Sequence, residues 1–153
     1  MIKEFTQKDT KDVIECLLEL QNAESKIELN RKEDSEVARE YFEEISDQVR
    51  NKNGKIFCAR VGSEIAGLII VLIEDNDIID KPGRYAYISD VVVREKYRSK
   101  GMATKLMQEA EEFAKQEGIR EIKICVLEKN IAALNLYQKT GYQAQTITLR
   151  KSI

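Results

Sequence analysis

The run Val91-Val92-Val93-Arg94-Glu95-Lys96-Tyr97-Arg98-Ser99-Lys100-Gly101-Met102-Ala103 constrains this chain more than any other stretch. A β-branched segment stops, basic residues and a glycine follow, and an amphipathic helical pattern starts at once. That order requires a strand, a tight turn and a helix N-terminus whose unpaired N–H groups converge on one place. Orphan donors and the positive end of the helix dipole make such a junction an anion site. Arg98 and Lys100 add full charge beside it, Gly101 removes a side chain where an anion approaches backbone, and Ala103 keeps the next turn small. The junction reads as a seat for a pyrophosphate.

The flanking patterns set this junction in an α/β frame. Ile2 to Phe5 reads as a first strand, and Asp9 or Thr10 caps a helix carrying Val13, Ile14, Leu17 and Leu20. After the polar stretch Gln21 to Glu36, a second helix enters from Asp34 or Ser35. It shows Val37, Ala38, Tyr41, Phe42, Ile45 and Val49 on one face, and Asn53-Gly54 ends it. Lys55 to Val61 and Glu64 to Ile73 flank Gly62-Ser63 as a hairpin. Tyr85 to Val93 is the next strand, and Met102, Leu106, Met107, Ala110 and Phe113 mark the helix after it, closed by Gly118. Ile122, Ile124 and Val126 alternate in a further strand, a short helix runs from Ile131 to Lys139, and Tyr142 to Arg150 returns as a strand. The expected order is β-α-α-β-β-β-α-β-α-β: one domain, residues 1–153, with a mixed, mostly antiparallel central sheet of about six to seven strands flanked by helices. The anion site then falls at the carboxyl end of a strand, where open α/β sheets bind ligands.

Composition removes several kinds of chemistry. There is no histidine, so no Ser-His-Asp triad, Cys-His pair or His-ligated metal can be assembled. Proton transfer falls to carboxylates, Tyr, Lys, Cys, water or the substrate. A formal charge of −2 argues against a nucleic-acid partner. No apolar run reaches membrane-spanning length, and the N-terminus shows no signal-peptide pattern. Cys16, Cys58 and Cys125 are scattered, odd in number and without metal spacing, which suits a reducing cytoplasm.

A second constellation follows the first: Asn130-x-x-Ala133-x-x-x-Tyr137-x-x-x-Gly141-Tyr142. Read locally, Asn130 is an N-cap, Tyr137 packs its ring at helical spacing from Ala133, and Gly141 ends the helix. Together the two constellations resemble the GNAT superfamily of acetyl-CoA-dependent N-acetyltransferases. The resemblance covers nearly the whole chain in element order, and its specific part runs from Tyr85 to Tyr142. Arg98-Ser99-Lys100-Gly101-Met102-Ala103 matches the R/Q-x-x-G-x-G/A pyrophosphate loop of that family. Val91, Val92 and Val93 match the strand that holds the pantetheine arm. Asn130, Ala133, Tyr137, Gly141 and Tyr142 match its N-x-x-A-x-x-x-Y-x-x-x-G-F segment, with Tyr142 in place of Phe.

The resemblance implies that amides from Ser99 to Thr104 hold the pyrophosphate of acetyl-CoA, that Asn130 hydrogen-bonds the coenzyme, and that Tyr137 protonates the departing thiolate. A phenol of pKa about 10 is still an acid at neutral pH and can donate to a thiolate whose pKa is about 8.5. The thioester carbonyl needs a donor, which a backbone N–H freed along Val91 to Val93 would supply. No metal is implied. Many relatives carry a basic Glu where this chain has Ser89, so the base falls to the adjacent Asp90, more weakly to Glu128, or to a water chain reaching either. Strict alternation puts Asp90 on the face opposite Ser89. Cys125, inside a strand and without a histidine, reads as buried filler.

The expected activity is transfer of an acetyl group to a small-molecule amine or a peptide amino group. The alternative is a non-catalytic acetyl-CoA sensor of the same fold, which Ser89 favours. Acidic clusters at Glu24, Glu28, Glu33, Asp34 and Glu36 and at Glu74, Asp75, Asp77 and Asp80 either wall a cationic acceptor site or only aid solubility. The C-terminal strand, with Ile147 and Leu149 alternating, either pairs across a homodimer or closes its own sheet.

Overall fold

The structure, a computed structural model, describes residues 1–32 and 34–153; Glu33, one of the acidic residues named above, lies outside the described residues. The elements run β1 (Ile2–Glu4), α1 (Thr10–Ser25), α2 (Ser35–Asn51), β2 (Lys55–Val61), β3 (Glu64–Asp75), β4 (Arg84–Val93), α3 (Met102–Gln116), β5 (Ile122–Ile124) and α4 (Ile131–Lys139). The strands form one mixed sheet in the order β1-β2-β3-β4-β5; the first three pairings are antiparallel, and β4–β5 is parallel across the α3 crossover.

Helices cover both faces, which explains the long apolar run of β3. From Ile65 to Ile73 every residue is buried: Ile69, Val71 and Ile73 enter one core, and Ile65, Leu68, Ile70 and Leu72 the other. On one face Phe57, Ile69, Val71, Ala86 and Ile88 pack beneath Leu106, Met107, Ala110 and Phe113 of α3, with Tyr137 of α4 at the margin. On the other, Val13, Cys16 and Leu17 of α1 and Phe42 and Ile45 of α2 lie over Ile56, Leu68, Ile70 and Leu72. Asp34 caps α2 by accepting from Glu36 N at 2.9 Å. Asp9, one of the two residues expected to cap α1, stands at its N-cap position, but its carboxylate makes no cap hydrogen bond there; it accepts from Thr6 N and pairs with Arg60 of β2.

Two expectations fail at the C-terminal edge of the sheet. Tyr142 to Arg150 forms no strand, so the sheet has five strands rather than six to seven, and Ile147 and Leu149 stand 84% and 90% exposed. A strand needs a ladder partner for its backbone groups, and alternation alone cannot say that an edge is there. Here β5 pairs over only Ile122–Ile124, shorter than the alternation through Val126 suggests. Cys125 therefore falls past the strand end and is exposed, not buried.

Candidate functional site

The site begins with a bulge. Across β3–β4 the register runs Ile70↔Asp90 and then Val71↔Ile88, so Ser89 is an extra residue without a partner on β3. The insertion reverses the alternation of β4. Before it, Ala86 and Ile88 face α3 and Tyr87 faces α1 and α2; after it, Val91 and Val93 face α3, and Val92 faces α1 and α2. Asp90 thereby joins Tyr87 and Val92 on the α1–α2 face.

The same bulge marks where two strands part. Pairing between β4 and β5 ends at Ile88↔Ile124, which leaves the β5-side backbone edge of β4 beyond that point without a strand partner among the described residues. A cleft of about 70 Å³ opens there, lined among others by Glu24 of α1, Ser89, Asp90, Cys125, Asn130 and Tyr137. Val91 and Ala133 also line it. Glu128 is exposed and outside it. Of the acidic loop residues, Glu24 reaches this cleft, where Arg31 Nε pairs with it at 3.2 Å; Glu28 is engaged by Arg150 and Glu74 by Lys52.

Asp90 is only 9% exposed, and Tyr41 Oη of α2 donates to its Oδ2 at 2.7 Å. Burial pushes the Asp90 carboxyl above the usual carboxylate range, against the pull of the Tyr41 hydroxyl, then the Ser89 hydroxyl and the Arg31 charge. Glu24 is likewise raised, by burial first, with the Asp90 charge adding to the effect and Arg31 opposing it. Ser89 Oγ beside Asp90 is buried with no hydrogen-bond partner among the described residues. Such an unpaired buried hydroxyl next to an open space is a ready contact for a ligand or water.

Tyr137 comes from the opposite wall. Asn130 starts α4 by accepting from Ala133 N through Oδ1 at 3.2 Å, and this cap fixes where the helix directs its residues. Two turns on, the Tyr137 ring sits 6.0 Å from that of Tyr142. Burial, with the charges of Glu24 and Asp90 adding, pushes the Tyr137 phenol up to about 12. It therefore keeps its proton through the neutral range.

Past Val93 the chain makes a single 3₁₀ turn (Glu95–Tyr97), and Arg98 Nε donates back to Val93 O at 2.9 Å. Ser99 and Gly101 adopt positive φ of 61° and 71°, and α3 starts at Met102. The first backbone bond onto Gly101 O comes from Lys105 N at 3.2 Å, so the N–H groups of Met102, Ala103 and Thr104 have no acceptor within the helix. No side chain among the described residues caps this end. A Cβ built on Gly101 would meet nothing within 4 Å, so its left-handed conformation, not crowding by the protein, calls for glycine there. Lys100 Nζ lies 5.8 Å from the Tyr97 ring, whose hydroxyl donates to Glu64 at 2.6 Å. Arg94 pairs with Glu19 at 2.7 Å and Glu15 at 3.4 Å, tying the loop to α1.

The structure thus gathers Asp90, Val91, Asn130, Ala133 and Tyr137 around one cleft, with Val92 and Val93 leading from it to the loop from Arg98 to Thr104. On the sequence alone Tyr41 is one more apolar-face position of α2. Its hydroxyl was the only signal of a polar task.

Comparison with known proteins agrees with this fold. The pattern of the acetyltransferase (GNAT) family matches residues 17–142. The chain belongs to that family. It is 36% identical over 64 residues to the thialysine N-epsilon-acetyltransferase of Mus musculus, a match spanning 42% of this chain and only 38% of that enzyme. In fold it is similar to a Bacillus halodurans protein solved as a tetramutant, with a TM-score of 0.88 at 17% identity over 100% of this chain and 99% of the other. A predicted acetyltransferase from Clostridium acetobutylicum, solved with acetyl-CoA, superposes with a TM-score of 0.73 at 21% identity over 99% and 95% of the two chains. Among the described residues no helix is long and apolar enough to cross a membrane.

Proposed function

We propose that this protein transfers the acetyl group of acetyl-CoA to a primary amine by direct attack on the thioester. The observation that carries this reading is the pairing, across one small cleft, of a buried carboxylate on β4 with a protonated phenol on α4. The free N–H groups of Met102 to Thr104 and the positive end of α3 suit a pyrophosphate, and the open space over Gly101 lets it approach. When bound, the coenzyme supplies an activated acyl group with a thiolate as leaving group. The protein supplies position and protons.

The amine arrives as an ammonium ion. Asp90 takes its first proton, which frees the nitrogen lone pair; burial raises the affinity of this carboxyl for protons toward what a base at neutral pH needs. A backbone N–H on the unpaired edge of β4 near Val91 is suited to stabilise charge developing on the carbonyl oxygen. As the C–N bond forms and the C–S bond breaks, Tyr137 gives its proton to sulfur and recovers one from the second proton that the nitrogen sheds. Asn130 spends Oδ1 on its cap and retains its amide N–H groups for the coenzyme.

Free-thiol release from acetyl-CoA across a panel of amines tests the reading. Tyr137→Phe is expected to lower kcat by a factor of about 100 to 10,000 while leaving coenzyme affinity nearly unchanged. Tight coenzyme binding with no turnover on any amine would point instead to a sensor, the role that Ser89 at the usual Glu position suggested.

A further inference from the structure

We infer that Tyr41 is a positioning residue of the reaction: its hydroxyl, brought from α2 to Asp90 Oδ2, fixes the carboxylate's direction and keeps it anionic to receive the amine's proton. This rests on the base role proposed for Asp90, and it adds a residue from outside both motifs.

Tyr41 and Asp90 are 49 positions apart, on different elements, yet their oxygens are 2.7 Å apart. That is the length of a strong hydrogen bond to a charged acceptor. A half-buried tyrosine needs an acceptor for its hydroxyl, which a backbone carbonyl would satisfy. Here the acceptor is a carboxylate that the β4 bulge has turned onto this face. With Oδ2 engaged, the hydrogen bond sets the plane of the carboxylate about its side-chain torsions, while the residue still borders the cleft.

Other groups around Asp90 do not take over this task. Glu24 from α1 repels its negative charge; Arg31, from the α1–α2 connection, attracts it but is paired with Glu24. Tyr137 from α4 and Tyr87 of β4 both feel the Asp90 charge; the Ser89 hydroxyl also lowers the Asp90 carboxyl, less than Tyr41 does, and does not meet hydrogen-bond geometry with any described residue. Burial and the adjacent carboxylate push the Tyr41 phenol itself up, so it remains a donor at every pH at which the protein works. Removing the hydroxyl leaves burial and Glu24 against the anion, so the proton affinity of Asp90 rises.

The test uses the full chain and three variants. Asp90→Asn examines the base assignment itself: loss of at least about a hundredfold in kcat is expected, with coenzyme affinity retained. Tyr41→Phe keeps the ring and removes only the hydroxyl. Two readouts are expected to move together by about one pH unit upward: the acid limb of kcat/KM, and the midpoint of the Asp90 carboxyl followed by 13C NMR. In the Asp90→Asn background the same change should leave the residual rate unaltered. An unmoved NMR midpoint overturns the inference whatever Asp90 does. A moved midpoint with a fixed kinetic limb, while Asp90→Asn is inactive, also overturns it and leaves the base assignment standing. Full activity in Asp90→Asn removes the base assignment, and Tyr41's place in the reaction with it.

Discussion

Two glycines of α3 offer a matched experiment on the loop from Arg98 to Thr104. Gly101 before the helix and Gly118 after it share a φ of 71°, and a Cβ built on either would meet nothing within 4 Å. Alanine at either position therefore meets the same backbone penalty and no clash. The left-handed region costs an L-residue about 1–2 kcal/mol, partly offset by about 0.4–1 kcal/mol from a stiffer unfolded chain. With an unfolding entropy of about 2.1 cal/mol/K per residue, 153 residues give about 3 °C of Tm for each kcal/mol. Both variants should thus melt a few degrees lower, by similar amounts. Coenzyme binding should separate them. The methyl of Gly101→Ala would enter the open space at the start of α3 that the proposed site leaves for a phosphate, and should hold the phosphate off. Each charge-assisted hydrogen bond lost is worth about 1.5–3 kcal/mol, so Kd should rise by about tenfold to a hundredfold. Gly118 lies at the far end of a 15-residue helix, about 22 Å away, and its variant should bind as wild type. Thermal melting and calorimetric titration with acetyl-CoA measure both quantities. Unchanged affinity in Gly101→Ala, or equal loss in Gly118→Ala, would refute the placement of the pyrophosphate.

Gly67→Ala addresses the strand that feeds the loop. The new Cβ would lie 2.5 Å from Val92 O and 3.1 Å from Val93 Cα, so β4 must shift; a stability loss of about 1–3 kcal/mol should come with weaker coenzyme binding. Unimpaired binding in a destabilised variant would separate the β4 backbone from the coenzyme. Asp90→Asn should show a pH-dependent gain in stability. A carboxyl raised in the folded state contributes stability that is complete below its unfolded pKa and lost as pH rises through the folded value. The Tm advantage of the variant over wild type should therefore grow from pH 4 to pH 8, and a flat difference would show that Asp90 is not raised.

What the sequence disclosed follows how locally each feature is determined. The strand-turn-helix junction from Val91 to Ala103, the Gly62-Ser63 hairpin and the Asn130 cap depend on neighbours within a few residues, and each is found where its pattern placed it. The C-terminal strand needed an edge built by a distant segment, and β5 ends too early to provide one. The exposure of Cys125 follows from the same shortfall. Tyr41 was equally hidden, because its apolar ring satisfies the helical period whether or not the hydroxyl meets Asp90.

The bulge at Ser89 is the feature of this strand that alternation along one segment does not show. Strict alternation puts Ile88, Asp90 and Val92 on one face and Tyr87, Val91 and Val93 on the other. One inserted residue moves Ile88 to the face of Val91 and Val93 and Tyr87 to the face of Val92. Beyond Ser89 the ladder with β3 resumes one residue out of step, and the next side chain, Asp90, takes the face shared with Tyr87 and Val92. The unpaired position also lies just beyond Ile88, where β5 stops following β4. The same irregularity accounts for a carboxylate turned toward α2, a serine hydroxyl left without a partner, and a cleft between two diverging strands. No residue type in the segment announces it, because Ser and Asp are as ordinary at a strand edge as at a bulge. Its signature is a register, and a register is a property of two strands.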